Sequence, residues 1–153
     1  MRKISQIING KRKIIKKPEL LAPAGNLEKL KVAIMYGADA VFVGGKEFSL
    51  RSQASNFSLE DIQEGVEFAK KYGAHIHVTC NIILHQDNLE GLKDYLKKLD
   101  EIGVTAIIVA DPYIMKIAKD MKLGLEVHVS TQLSTLNRSR RPSGLRKTTL
   151  ETN

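Results

Sequence analysis

Cysteine is nearly absent: Cys80 is the only one in 153 residues, so no disulfide can form within the chain. That scarcity predicts a protein of a reducing compartment, the cytoplasm. Long hydrophobic runs are missing as well. No apolar run exceeds the five residues 106–110, where a membrane span needs about 20, so no membrane partner is expected. The basic N-terminus lacks the apolar stretch of about 7–15 residues that marks a secretory signal. No glycine-rich phosphate motif of the Walker or dinucleotide type occurs. Arginine is scarce in the middle: residues 18–137 hold 11 lysines and a single arginine, Arg51.

What is present has ordinary globular proportions, 42% hydrophobic and 27% charged, which excludes wholesale disorder. The length suits about one domain and falls roughly 100 residues short of a complete eight-fold β/α barrel. The net charge is +7, but it is unevenly spread. Residues 1–17 carry seven Lys/Arg and no acid, and residues 138–153 carry five Lys/Arg and one Glu. Residues 18–137 hold 12 basic and 16 acidic side chains. Basic ends flanking an acidic middle fit either solvated tails or a polyanion-binding module.

The middle repeats one unit. Residues 19–22 form a short apolar strand stopped by Pro23. Gly25-Asn26 offers an N-cap, and Leu27, Leu30, Ala33 and Ile34 follow at helical spacing up to Gly37. Residues 38–43 read as a second strand. Ser58, with Asp61 three residues on, caps a second helix with apolar positions Ile62, Val66, Phe68 and Ala69. Residues 75–81 are the third strand. Asp87 or Asn88 opens a third helix carrying Leu89, Leu92, Leu96 and Leu99. Residues 105–110 are the fourth strand, and Pro112 sits at the first turn of a helix with Ile114, Ile117 and Ala118. Gly124 ends it, and residues 125–130 are the fifth strand. The joints are alike: Tyr36-Gly-Ala-Asp39, Tyr72-Gly-Ala-His75, Ile102-Gly-Val-Thr105 and Leu123-Gly-Leu-Glu126.

Five strands alternating with four helices predict an α/β fold with a parallel sheet and right-handed crossovers. Two strands are two-faced. His75, His77, Thr79 and Asn81 alternate with Ile76, Val78 and Cys80; Glu126, His128 and Ser130 alternate with Leu125, Val127 and Val129. A doubly wound sheet is apolar on both faces, whereas a barrel strand alternates inward and outward. The pattern favours an incomplete TIM-type (β/α)8 barrel over an open five-stranded sheet. Five strands leave such a barrel open, with two unpaired edges suited to self-association and a polar lumen face bare to water.

Four stretches, taken in order, carry a resemblance: Glu19-Leu-Leu-Ala-Pro-Ala-Gly-Asn26, Tyr36-Gly-Ala-Asp-Ala-Val-Phe-Val-Gly-Gly45, Phe48-Ser-Leu-Arg51 with Ala54 and Asn56-Phe57, and His128-Val-Ser-Thr-Gln132. Together they resemble the N-terminal half of the peptidase U32 family, the collagenase-like proteins, over residues 18–137. The resemblance implies a β/α barrel. It also implies a fragment of a U32 peptidase, a collagenase-like protease and hydrolase, inactive alone. The alternative it implies is a truncated relative of U32-type proteins that hydroxylate RNA bases or quinone precursors without oxygen. A peptide or an RNA is accordingly the expected substrate of the intact family protein. Relatives carry a 4Fe-4S cluster through cysteines of the C-terminal half; no cofactor is expected in this chain, and Cys80 matches none of those ligands. The resemblance stops at Asn137. Residues 138–153 lack periodicity and turn from lysine to arginine, which fits a frameshifted gene end or a natural basic tail. The chain thus divides into a basic extension at 1–17, the barrel half at 18–137 and a basic tail at 138–153.

A β/α barrel places its site at the C-terminal strand ends. Site-lining candidates there are Arg51, Asn81, His128, Ser130 and Gln132. Arg51 can hold a carboxylate or phosphate bidentately, and Gly25 and Asn26 expose a helix N-terminus, an anion site or a plain cap. His85 follows the third strand and is a loop acid–base candidate. His75 and His77 share a strand face, but zinc needs about three or four ligands; both read more simply as hydrogen-bonded lumen polars, so no metal is assigned. His128 and Ser130 point the same way from one strand, which makes no catalytic triad. Cys80 faces the helices as a small buried group.

Overall fold

The structure is a computed structural model and describes residues 3–8, 11–16, 18–46, 56–81 and 89–133. Two strands, β1 (Lys3–Ile8) and β2 (Lys11–Lys16), form an antiparallel pair of their own. The N-terminal extension thus contains regular structure that its charge alone did not suggest. The missed signal is Asn9-Gly10, the dipeptide most typical of a two-residue link between antiparallel strands.

The main sheet has five parallel strands: β3 (Leu21–Pro23), β4 (Ala40–Gly44), β5 (His75–Cys80), β6 (Ala106–Val109) and β7 (Glu126–Val129). Between them run α1 (Leu27–Met35), α2 (Leu59–Tyr72), α3 (Leu89–Ile102) and α4 (Pro112–Asp120). The order in space is β3-β4-β5-β6-β7, the order in sequence. This decides between the two architectures. A doubly wound sheet reverses direction at a switch point and so covers both faces with helices. Here every crossover lays the next strand on the same edge. Right-handed connections that never reverse keep all four helices on one face, and α1 packs on α2, α2 on α3 and α3 on α4. The fold is five β/α units of a TIM-type barrel.

Each helix forms for local reasons. Ser58 accepts from the Asp61 amide while the Asp61 carboxylate accepts from the Ser58 amide, closing a capping box on α2. The Asn26 Oδ1 caps α1, and Asp111 caps α4 ahead of Pro112. Three junctions leave their helices through glycines in the left-handed region, Gly37 at φ 98°, Gly73 at 67° and Gly103 at 89°, where a Cβ is unfavourable. The fourth differs from expectation. Lys122, at φ 52°, makes the reversal, and Gly124 instead donates its amide to Asp100 Oδ1 at 2.9 Å. The strand bounds also shift by a residue or two: β6 and β7 are one residue shorter at each end than predicted, β5 stops at Cys80, β4 starts two residues late and runs to Gly44, and β3 starts two residues late and includes Pro23. Pro23 is tolerated because β3 is an end strand of the sheet and needs no donor on its outer side.

The apolar stripes meet the sheet as the spacing requires. Leu30, Ile62, Leu92, Leu96, Leu99 and Ile114 are fully buried against Val41, Ile76, Val78, Cys80, Ile107 and Val109. Each such Leu or Ile contributes about 1.5–3 kcal/mol of hydrophobic stabilisation. Phe68 lies part-way out, stacked on Tyr72 with ring centroids 4.9 Å apart. No helix among the described residues is long and apolar enough to cross a membrane. Replacing Ser58 by Ala removes one half of the capping box, and urea unfolding should show a loss of about 0.5–2 kcal/mol, with Ser58→Asn close to wild type.

Candidate functional site

Parallel register partners share a face, so the ladder fixes which side chains look away from the helices. Phe42 pairs with His77, His77 with Ala106, and Ala106 with Glu126. One layer towards the C-terminal ends, Gly44 pairs with Thr79, Thr79 with Ile108, and Ile108 with His128. These are successive layers of a barrel interior, filled by alternating residues of successive strands. The polar face is not bare, as had been expected. His77, Thr79, His128 and Ser130 are all buried, at 4–8% exposure.

The reason is visible at β6. β5 and β7 flank it, and neighbouring strands lie about 4.8 Å apart, so their side chains are separated by roughly two spacings. Inward side chains nevertheless reach across it: His77 and His128, one layer apart, meet edge to face with ring centroids 4.9 Å apart and planes at 87°.

Each polar group of this face has a defined partner or a defined lack of one. Thr79 Oγ1 donates to the Val43 carbonyl at 3.1 Å. The Glu126 carboxylate accepts from His128 Nε2 at 3.1 Å. Asn81 Nδ2 donates to Ser130 Oγ at 3.4 Å, and Ser130 Oγ also accepts from the Gln132 amide at 3.3 Å. Ser130 therefore fixes the start of the short 3-10 turn Thr131–Leu133. Three buried atoms of the cluster, His77 Nδ1, His128 Nδ1 and Asn81 Oδ1, have no hydrogen-bond partner among the described residues, and an unmet buried polar group costs about 1–3 kcal/mol.

Burial pushes His77 down from 6.5 to about 4, with His128 and His75 adding like-charge repulsion and Glu126 opposing it. His77 is therefore a neutral imidazole at neutral pH. Cys80 points to the helices, fully buried, and burial pushes its thiol up to about 12.

The predicted candidates separate into groups. Asn81, His128 and Ser130 come together on the lumen face at or near the strand ends. Gln132 is exposed and enters only through its backbone amide. His77 joins His128, while His75 starts β5, is exposed, and lies beside Thr105 Oγ1 at 3.4 Å. The two are thus not a ligand pair, and no cluster of three or more His, Cys, Asp or Glu among the described residues can hold a metal. Asn26 spends its side chain on its own helix, receiving the Lys29 amide at 2.9 Å, with Glu28 in the same turn and Gly25 beside it. That is capping. Arg51 and His85 lie outside the described residues, as does the tail at 138–153. Sequence reasoning did not place Glu126 against His128 and missed the ring contact of His77 with His128. The signal for both was the junction repeat, which aligns the strands and hence the layers.

The comparisons with known proteins give the family and agree with the fold. The profile of peptidase family U32 covers residues 25–141. The chain belongs to peptidase family U32. Among its relatives, the tRNA hydroxylation protein P1 of Bacillus subtilis is 63% identical over 135 residues, 88% of this chain and 32% of that protein. The 23S rRNA 5-hydroxycytidine C2501 synthase of Escherichia coli is 47% identical over 114 residues, 74% of this chain and 17% of the relative. The U32 chain thus spans about a third or less of these relatives. Among solved structures, a U32 peptidase superposes with a TM-score of 0.59 at 17% identity, over 80% of this chain and 53% of the other. The deoxyribose phosphate aldolase of Aeropyrum pernix gives 0.56 at 21%, over 73% and 54%. Both agree with the barrel fold. The profile runs to residue 141, past the expected boundary at Asn137.

His77 supplies a testable pH dependence. An unfolded histidine takes up its proton near 6.5, the folded one only near 4. Between those values the unfolded state binds more protons, so stability falls as pH drops through 6.5 and levels off near 4. Urea unfolding at neutral pH and at pH 4 should differ by about 1–3 kcal/mol more in wild type than in His77→Phe.

Proposed function

We propose that this chain is the part of a U32 RNA-hydroxylation protein that forms the first five β/α units of its barrel, with an RNA base as the substrate of the whole protein. The observation that carries this reading is the 63% identity to a tRNA hydroxylation protein over 88% of the chain. The second RNA-modifying relative, at 47% identity, supports it. The described site counts against a peptidase. Ser130 Oγ bonds to Asn81 and to a backbone amide, and His128 Nε2 turns to Glu126. Among the described residues no histidine or carboxylate is hydrogen-bonded to the Ser130 hydroxyl, the contact by which a base activates a serine for acyl transfer. Cys80 is buried on the wrong face and holds its proton, so it is no thiolate nucleophile.

The residues present do not fit an iron–sulfur cluster. Such clusters are held by cysteine thiolates, commonly four; the chain has one cysteine, and its thiol is fully buried among helix-facing side chains. What the U32 segment provides is a set of buried polar side chains, His77, Thr79, His128 and Ser130, on the sheet face away from the helices.

A chimera tests this. The matching segment of the B. subtilis tRNA hydroxylation protein P1 is replaced by residues 1–137 of this chain, in cells lacking the native protein and its P2 paralogue. Mass spectrometry of tRNA nucleosides should recover the hydroxylated base, whereas the 153-residue chain alone should recover none. A chimera that leaves tRNA unhydroxylated yet cleaves denatured collagen would return the protein to the peptidases.

A further inference from the structure

We infer that Glu126 and His128 form a proton-accepting pair in the barrel lumen, in which Nδ1 of His128 takes a proton from an N–H or O–H of a bound ring and Glu126 is the positioning residue. A carboxylate can only accept, so the 3.1 Å contact between Glu126 Oε2 and His128 Nε2 places the imidazole proton on Nε2. The lone pair of the neutral ring is then on Nδ1. That atom is buried and has no partner among the described residues, in a side chain that is itself almost entirely covered. A strong acceptor is thus held in a fixed direction, out of water, with nothing donating to it.

The surroundings favour the transfer. Among the described residues, the titratable groups shown against His128 are Glu126 on its own strand and His77 of β5 in ring contact; His75, at the start of β5, acts on His77. β6, between β5 and β7, contributes Ala106 and Ile108 and no charge. His77 stays neutral at neutral pH, so no standing positive charge opposes the arrival of a proton on its neighbour. The step balances simply. The ligand's N–H or O–H bond breaks, its electron pair stays on the ligand, and the proton bonds to Nδ1. The imidazolium so formed faces the Glu126 carboxylate. Nothing is oxidised or reduced. Asn81 Oδ1, an acceptor, and His77 Nδ1, also unpartnered among the described residues, are further polar atoms for the same ligand.

This chemistry does not depend on RNA being the substrate, so its failure and the failure of the functional proposal are separate results. Two measurements on the full 153-residue chain decide it. In the first, the ring nitrogens of 15N-histidine-labelled protein report the tautomers. His128 should carry its proton on Nε2 in wild type, shift several-fold towards the Nδ1–H form in Glu126→Gln, and recover in Glu126→Asp. A purely packing role for Glu126 predicts no such response, and an Nδ1–H tautomer in wild type overturns the proposal even if the variants fold poorly. In the second, 4-nitrophenol is the probe, an acidic O–H ring whose anion absorbs visible light. In buffer acidic enough to keep most of it protonated, wild type should raise the phenolate several-fold over the level with His128→Gln. Equal absorbance with the two proteins overturns the proposal.

Discussion

The fold rests on one constraint: every crossover returns the chain to the same edge of the sheet. Because the direction never reverses, helices accumulate on one side only. The apolar alternate of each strand must then face that side, and the other alternate is released from packing under helices. Polar side chains can occupy it at no cost to the main core. In β5 the division is sharp, with Ile76, Val78 and Cys80 under the helices and His77 and Thr79 opposite. The site is therefore a by-product of topology before it is a product of chemistry. Its contents then follow from the strand register, which brings His77 and His128 together across β6.

Much of this was legible in the residues themselves. The helix–glycine–strand joints gave the number of units, and the alternation in residues 75–81 and 125–130 distinguished a barrel from an open sheet. Ser58 with Asp61 announced its helix start. The features that escaped were those that depend on neighbours across the sheet. His77 and His128 are 51 positions apart, and only the register over β6 makes them a pair. The burial of the polar face escaped for the same reason, since single-strand alternation cannot show two rings covering each other. The antiparallel pair at Lys3–Ile8 and Lys11–Lys16 was obscured by the density of lysine and arginine, which drew attention to charge and away from Asn9-Gly10.

Family and geometry inform each other here. The U32 family includes a solved U32 peptidase and relatives named for RNA hydroxylation, so membership alone leaves the chemistry open. Among the described residues, Ser130 anchors a turn, Cys80 is sealed under helices, and the contact of His128 with Glu126 is the imidazole–carboxylate pair on which the proton-transfer proposal rests.

A sheet built in one direction has two unlike ends, β3 and β7. Copies joined β3 to β7 are not related by a two-fold axis, which matches like with like; they join head to tail. Such growth closes into a ring when the rotation per copy divides a full turn and otherwise runs on as a fibre. The two ends are protected unequally against it. β3 ends in Pro23, which has no amide hydrogen to offer a neighbour, and β7 begins with the half-exposed Glu126. The carboxylate that orients His128 thus stands on the strand where a stray partner would have to dock, and places a charge there.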